Sequence, residues 1–235
     1  MASRGRSIPA LDDCTGVILA GGQSRRFGRN KALEPLAGMP LAQRVARVLR
    51  ELFRAQLLVT NTPEVYASLR IPSVVDDRPG LGSLGGIYTA LRHADSPWCF
   101  IVGCDMPFLA ADAVRALAAC RGTPLPSAAA AAPEPSWCDR GEATLPDVVV
   151  PFVDGRFHTL HAFYHRRCLP AVEHLLEARR LRIDVLYAMV ATRVVDAVDP
   201  AWGGVARLAV LRRSLFNINT RDDLRQANAL LRAEG

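Results

Sequence analysis

Residues 15–31 read TGVILAGGQSRRFGRNK, and the fold follows from this stretch. Residues 15–19 form a short apolar run with β-branched members, closed by the Gly21-Gly22 pair, which is the pattern of a buried strand that ends in a tight turn. Downstream, residues 40–53 (PLAQRVARVLRELF) place Leu41, Val45, Val48, Leu49 and Leu52 at helical spacing with arginines on the opposite face, predicting an amphipathic helix. A second strand is expected at 56–60, a short helical turn at 65–69, and a third strand at 73–75 running into Asp76-Asp77. A helix at 87–93 then precedes residues 98–104 (WCFIVGC), a strand apolar enough to be central in a sheet. Residues 111–120 read as the returning helix. Strands alternating with helices in this way predict an α/β fold, Rossmann-like and three-layered, with a mostly parallel central sheet.

The rhythm breaks at 121–146, where RGTPLPSAAAAAPEPSWCDRGEATLP combines five prolines with an alanine run; it reads as an extended solvated loop rather than a lid. Residues 147–152 and 156–164 read as two strands of a hairpin joined at Asp154-Gly155. A helix follows from Pro170 to Arg179, then strands at 191–197 and 215–218. The chain closes with a helix over 220–233, where Thr220 and Asp223 have capping-box spacing. Residues 1–14 read as a loose leader and 15–233 as a single domain.

Composition narrows the class. Half of the 235 residues are hydrophobic and 22% are charged, which is globular and excludes a disordered chain or a small disulfide scaffold. No apolar run reaches the length of a membrane span, and the N-terminus has no apolar signal-like core, so a cytoplasmic protein is expected. Lys and Arg together number 29 against 23 acids, for a net charge of +6, yet Lys31 is the only lysine among those cations. The arginines are scattered without a basic block, so no specific nucleic acid is expected as a partner. Six cysteines without a C-x-x-C pair read as buried thiols rather than zinc ligands or disulfides.

Four segments carry chemistry. In the first, Gly21 and Gly22 let backbone N–H groups approach phosphate oxygens, and Arg26 and Lys31 bring cations to the same anion; neither G-x-x-x-x-G-K-[ST] nor G-x-G-x-x-G is present, so P-loop and dinucleotide Rossmann proteins are not supported. In the second, Gly80, Gly82, Gly85 and Gly86 stand before a helix and permit a flat ligand such as a nucleobase to lie against backbone. In the third, Asp105 of Gly103-Cys104-Asp105-Met106-Pro107 sits at the tip of the central strand, facing the crevice where open α/β sheets bind ligands; with a phosphate nearby, a Mg²⁺ role is favoured over a simple turn cap. The fourth is Asn217-Ile218-Asn219-Thr220, alternating amides before the last helix. Of the five histidines, His158 and His161 are candidates only for contacting a second substrate.

In this order the four segments resemble the molybdenum cofactor guanylyltransferases, the MobA-like branch of the nucleotidyltransferases. Leu19 to Lys31 match the family's L-A-G-G-x-S-x-R-x-G-x-x-K loop, Leu81 to Ile87 its glycine-rich segment, Cys104 to Pro107 its C-D-x-P, and Asn217 to Thr220 its N-x-N-T. The resemblance spans 15–233 and implies transfer of GMP from GTP to the terminal phosphate of molybdopterin, with release of pyrophosphate. It implies that Leu19, Ala20 and Gly21 hold GTP through backbone, that Lys31 and Arg26 face its phosphates, and that Asp105 binds Mg²⁺ and nucleotide. It also places Asn61 and the acid at Asp77, or its neighbour Asp76, at the nucleotide, and Gly22, Gly82, Asn217 and Asn219 in the binding surface. GTP and the molybdopterin cofactor are the implied partners, together with molybdoenzymes or cofactor-biosynthesis proteins. A molybdopterin cytidylyltransferase using CTP, and a noncatalytic nucleotide- or molybdopterin-binding protein, are the competing readings.

Overall fold

A computed structural model describes residues 11–21, 30–125, 145–199 and 205–233. The strands are β1 (Cys14–Leu19), β2 (Pro35–Leu36), β3 (Met39–Pro40), β4 (Ala55–Val59), β5 (Ser73–Val74), β6 (Trp98–Gly103), β7 (Val148–Val153), β8 (Arg156–Phe157), β9 (His161–His165) and β10 (Thr192–Asp196). The helices are α1 (Leu41–Leu52), α2 (Gly82–His93), α3 (Ala111–Ala119), α4 (Leu169–Glu177), α5 (Val205–Ser214) and α6 (Arg221–Arg232). The main sheet runs in the order β10-β7-β9-β6-β1-β4-β5, with β8 paired to β7, while β2 and β3 form a separate small hairpin. Strands β5, β4, β1 and β6 are mutually parallel, and β9 turns antiparallel between β6 and β7.

Side-chain alternation along the central strands builds the three layers. In β1, Cys14 and Ile18 face one core with Val45 and Leu49 of α1 and Val114 and Leu117 of α3. Val17 and Leu19 face the other, with Ile87 and Leu91 of α2 and Val172 and Leu175 of α4. Both faces of the sheet are thus covered, which accounts for strands apolar throughout rather than alternating. Because β1 has β4 on one side and β6 on the other, the strand order reverses between β1 and β6, and the crevice at their carboxyl ends is the place where such sheets bind ligands.

Four expectations are corrected. The helix after the glycine-rich segment starts at Gly82, not at residue 87. Gly82 has φ +66°, in the region that favours glycine, whereas Gly85 and Gly86 lie inside the helix. A Cβ at Gly85 would stand 2.8 Å from the Arg78 carbonyl, and one at Gly86 would stand 3.2 Å from Leu19 Cδ1. These two glycines bring α2 close to its neighbours and do not leave room for a base. The second strand of the hairpin is interrupted: β8 and β9 both pair with β7, but the register slips by three residues between them, the length of the bulge at 158–160. Residues 215–218 form no strand. The N–H groups of Leu215 and Phe216 close the end of α5 on the carbonyls of Leu211 and Arg213, and that of Ile218 donates to the Asp105 carbonyl. Helix α5 itself was not expected; its Ala, Leu and Arg residues favour a helix but carry no clear apolar stripe.

Candidate active site

The β1 end is tightly tied to its neighbours. The Leu19 carbonyl accepts from the Cys104 N–H at 3.2 Å, the Ala20 N–H donates to Val59 at 2.9 Å, and the Ala20 carbonyl accepts from the Thr60 hydroxyl at 3.2 Å. Gly21 is the exposed residue that follows, with open space where a Cβ would stand. Gly22 and Arg26 lie outside the described residues, as does Cys138.

Lys31 stands on a short turn of its own. Asn30 N-caps a short 3-10 turn over Lys31–Leu33, its side-chain oxygen accepting from the Ala32 N–H at 3.1 Å while its amide donates to the Tyr66 hydroxyl at 3.1 Å. This turn aims the ammonium across the β1–β6 crevice, where it ion-pairs with Asp105 Oδ2 and donates to Asn219 Oδ1 at 2.9 Å. Residues 31, 105 and 219, far apart in the chain, therefore form one centre. The Lys31 and Asp105 side chains are only 16% and 13% exposed, so their attraction is less screened than that of a surface pair. Gly103 shapes the acid's position, because a Cβ there would stand 2.5 Å from Asp105 Oδ1. Neither Asn30 nor Gly103 stood out as a site residue in the sequence, although asparagine is among the residue types that favour N-caps.

Asn219 is itself fixed. Asp223 Oδ2 accepts from the N–H groups of both Asn219 and Thr220 at 2.8 Å, and the Asp223 N–H donates back to the Thr220 hydroxyl at 3.1 Å, so the expected capping box of α6 is formed. Burial works to raise the Asp223 carboxyl, but the two backbone donors, the Thr220 hydroxyl and Lys31 together hold it below its ordinary value. Asn217 and Asn219 are exposed, while Ile218 between them is fully buried against Leu36, Leu41, Phe108 and Ala227.

A polar-walled cavity of about 570 Å³ adjoins this centre. The three-residue bulge His158, Thr159 and Leu160 forms one wall with Arg156, and Asn217, Asn219 and Asp223 form the other. The fully buried His161 is not among its lining residues: its Nε2 lies 2.8 Å from Ser214 Oγ, and burial holds its imidazole down to about 3.

Asn61 and Asp76 come together at the ends of β4 and β5, the Asp76 N–H donating to Asn61 Oδ1 at 3.2 Å. Two strand spacings, about 10 Å, separate β4 from β6. Both carboxylates turn to α2: Asp76 Oδ1 accepts from the Thr89 hydroxyl at 2.9 Å and from the Arg78 N–H at 3.0 Å, and the Asp77 carboxylate meets His93, 3.1 Å away, and Arg92 at the end of the helix.

Among the described residues, no group of three or more His, Cys, Asp and Glu side chains comes together to hold a metal. Asp105 does offer the single carboxylate by which Mg²⁺ is commonly held when substrate phosphates supply other ligands. The neighbouring Cys104 is unsuited to help, since burial first and the Asp105 charge second push its thiol up to about 12. Cys14, Cys99, Cys120 and Cys168 are also buried, as expected of core cysteines. No helix among the described residues is long and apolar enough to cross a membrane.

A cation and a carboxylate at the switch point of a mostly parallel sheet, beside a glycine turn, define an α/β protein that handles nucleotide phosphates. Residues 16–194 match the family model of the MobA-like NTP transferase domain. The chain belongs to this family and is a nucleotidyltransferase. It is 31% identical over 229 residues to the molybdenum cofactor guanylyltransferase of Desulfosudis oleivorans, covering 95% of this chain and 98% of that protein. It is 35% identical over 187 residues to the probable molybdenum cofactor guanylyltransferase of Carboxydothermus hydrogenoformans, covering 79% of this chain and 83% of that one. The solved structure of molybdopterin-guanine dinucleotide biosynthesis protein A from Archaeoglobus fulgidus superposes with a TM-score of 0.71 at 21% identity, over 93% of this chain and 99% of that chain, which supports the shared fold.

Proposed function

We propose that this nucleotidyltransferase moves GMP from GTP to the terminal phosphate of molybdopterin and releases pyrophosphate. The observation that carries the reading is the Lys31–Asp105–Asn219 centre at the β1–β6 crevice with a polar cavity directly beside it, an arrangement that fits two anionic substrates meeting at one point. The guanylyltransferase names of relatives spanning most of the chain support the choice of donor and acceptor.

In this reading the GTP phosphates lie over Gly21 and against Lys31. The nucleoside extends along the strand ends toward Gly82, Asn61 and Asp76, about 10 Å away. The acceptor occupies the cavity, its terminal phosphate directed at Lys31 by Asn217 and Asn219. A phosphate oxygen of the acceptor attacks the α-phosphorus of GTP, the bond from that phosphorus to the bridging oxygen breaks, and pyrophosphate departs with the electron pair. No protein nucleophile is required. Lys31 stabilises the charge that gathers on the phosphates in the transition state, and its placement by Asp105 and Asn219 means that little reorganisation is needed. Mg²⁺, held by Asp105 and the phosphates, would supply further neutralisation of that charge.

The experiment is a nucleotide panel with Mg²⁺ and molybdopterin, followed by pyrophosphate release. Release with GTP and not with CTP, ATP or UTP supports the reading. Preference for CTP would make the protein a cytidylyltransferase, and binding of GTP without release would make it a noncatalytic carrier.

A further inference from the structure

The resemblance directs attention to Asn217 and Asn219 as one binding element before α6, but the structure gives them different neighbours. Both are exposed and alternate about the buried Ile218, so they share a face of an extended segment. Only Asn219 is hydrogen-bonded to Lys31. The segment is held on both sides: the Ile218 N–H donates to the carbonyl of Asp105 itself at 2.9 Å, and Asp223 accepts from the Asn219 N–H at 2.8 Å. A capping box needs only the Thr220 N–H and hydroxyl as partners of Asp223. The added bond to the Asn219 N–H is more than the helix end requires, and it fixes the residue that touches the lysine.

We propose that Asn219 and, through it, Asp223 are positioning residues for the nucleotide phosphates: they hold the Lys31 ammonium over the donor side of the crevice, so the first turn of α6 serves GTP as well as the acceptor. This rests on the reading that Lys31 receives the phosphates of GTP. The physical reason is that a lysine side chain has four rotatable bonds and a point-like charge. Anchored at Asp105, the ammonium can still swing about the carboxylate. The Asn219 carbonyl, as a further acceptor, narrows that swing. The negative Asp223, close enough for Lys31 to help keep it ionised, reinforces that position electrostatically.

The test is the affinity of a non-hydrolysable GTP analogue, measured calorimetrically with Mg²⁺ and without any acceptor, together with the melting temperature of each variant. Asn219→Ala and Asp223→Ala are expected to bind the analogue about three- to tenfold more weakly, and Asp223→Asn, which retains an accepting oxygen, to recover part of the loss. Thr220→Ala removes the hydroxyl that accepts from the Asp223 N–H but leaves the Asp223 to Asn219 bond. It is expected to lower the melting temperature like Asp223→Ala while binding the analogue as the unmodified protein does. Wild-type affinity in Asn219→Ala and Asp223→Ala would overturn the proposal and confine these residues to the acceptor or the cap. Equal weakening in Thr220→Ala would overturn it in favour of helix stability alone. If the unmodified protein bound no GTP analogue, the functional reading itself would fall, and this inference with it.

Discussion

Replacing Lys31 by methionine keeps an unbranched side chain of similar length and deletes one ammonium, so it isolates the charge at the centre of the site. Two consequences follow from the geometry. The Asp105 carboxylate, 13% exposed, loses its ion-pair partner, and the Asn219 carbonyl loses its donor; the folded state should be less stable by about 1–3 kcal/mol. The larger effect falls on the reaction. Removing one preorganised donor aimed at transition-state charge costs about 2.7–4 kcal/mol, so kcat for pyrophosphate release at saturating GTP and molybdopterin should fall about 100- to 1,000-fold. GTP affinity should fall by only about tenfold, roughly 1.4 kcal/mol, because the proposed contacts to the nucleoside and to Mg²⁺ would still hold the ground state. Lys31→Arg leaves the net charge at +6, but a planar guanidinium cannot reproduce a point charge bonded at once to Asp105 and Asn219; about a tenfold loss in kcat is expected. A Lys31→Met protein that stays folded and releases pyrophosphate within about threefold of the wild-type rate would refute the reasoning, whatever its GTP affinity.

Other predictions test the nucleotide contacts and the scaffold. Asp76 joins Asn61 through its N–H, and its carboxylate holds the Arg78 N–H and the Thr89 hydroxyl beside the glycine-rich segment, whereas the Asp77 carboxylate pairs with His93 and Arg92 at the end of α2, so Asp76→Asn should weaken binding of a GTP analogue more than Asp77→Asn; the reverse order in calorimetry would return the nucleotide contact to Asp77. Gly16→Ala places a Cβ 2.6 Å from Cδ2 of the buried Phe53, whose ring stacks on Phe100 at 5.7 Å. Overpacking of this kind should cost about 1–3 kcal/mol and lower the melting temperature by roughly 2–4 °C per kcal/mol; an unchanged Tm would show that Phe53 can yield. The imidazole of His161, held down to about 3 by burial, takes up its proton far more readily in the unfolded chain, where the value is about 6.5. Its contribution is therefore intact above that value and is lost as pH falls, amounting to about 2 kcal/mol at pH 5. Denaturant melts should show His161→Gln losing less stability between pH 7 and pH 5 than the wild type.

The parallel half of the sheet was legible because its strands are buried on both faces and alternate with an amphipathic helix as regular as α1. Lys31 and Asp105 were legible for a related reason: each follows a strand whose end lies at the switch point, so the topology alone brings them to one crevice. Contacts that depend on side-chain direction were not legible. Nothing in the order Asn217-Ile218-Asn219 says which amide meets the lysine, and nothing in Asp76-Asp77 says which carboxylate takes Thr89 and which takes His93. Gly85 and Gly86 looked like ligand glycines because glycine disfavours a helix interior; the cost is accepted here for close approach to Arg78 and Leu19. The bulge at 158–160 escaped notice because a three-residue slip in register leaves no signature in residue type, yet it opens one wall of the cavity that adjoins the site.

The central claim is that the α-phosphorus of GTP is the centre attacked and molybdopterin the attacking group. It is tested most directly by incubating the protein with Mg²⁺ and molybdopterin and either α-labelled or γ-labelled GTP, then following the label. The account predicts that the α label appears in the cofactor, with the mass of one added GMP, and that the γ label leaves in pyrophosphate. A γ label retained on the acceptor, or an α label that never joins it, would contradict the account.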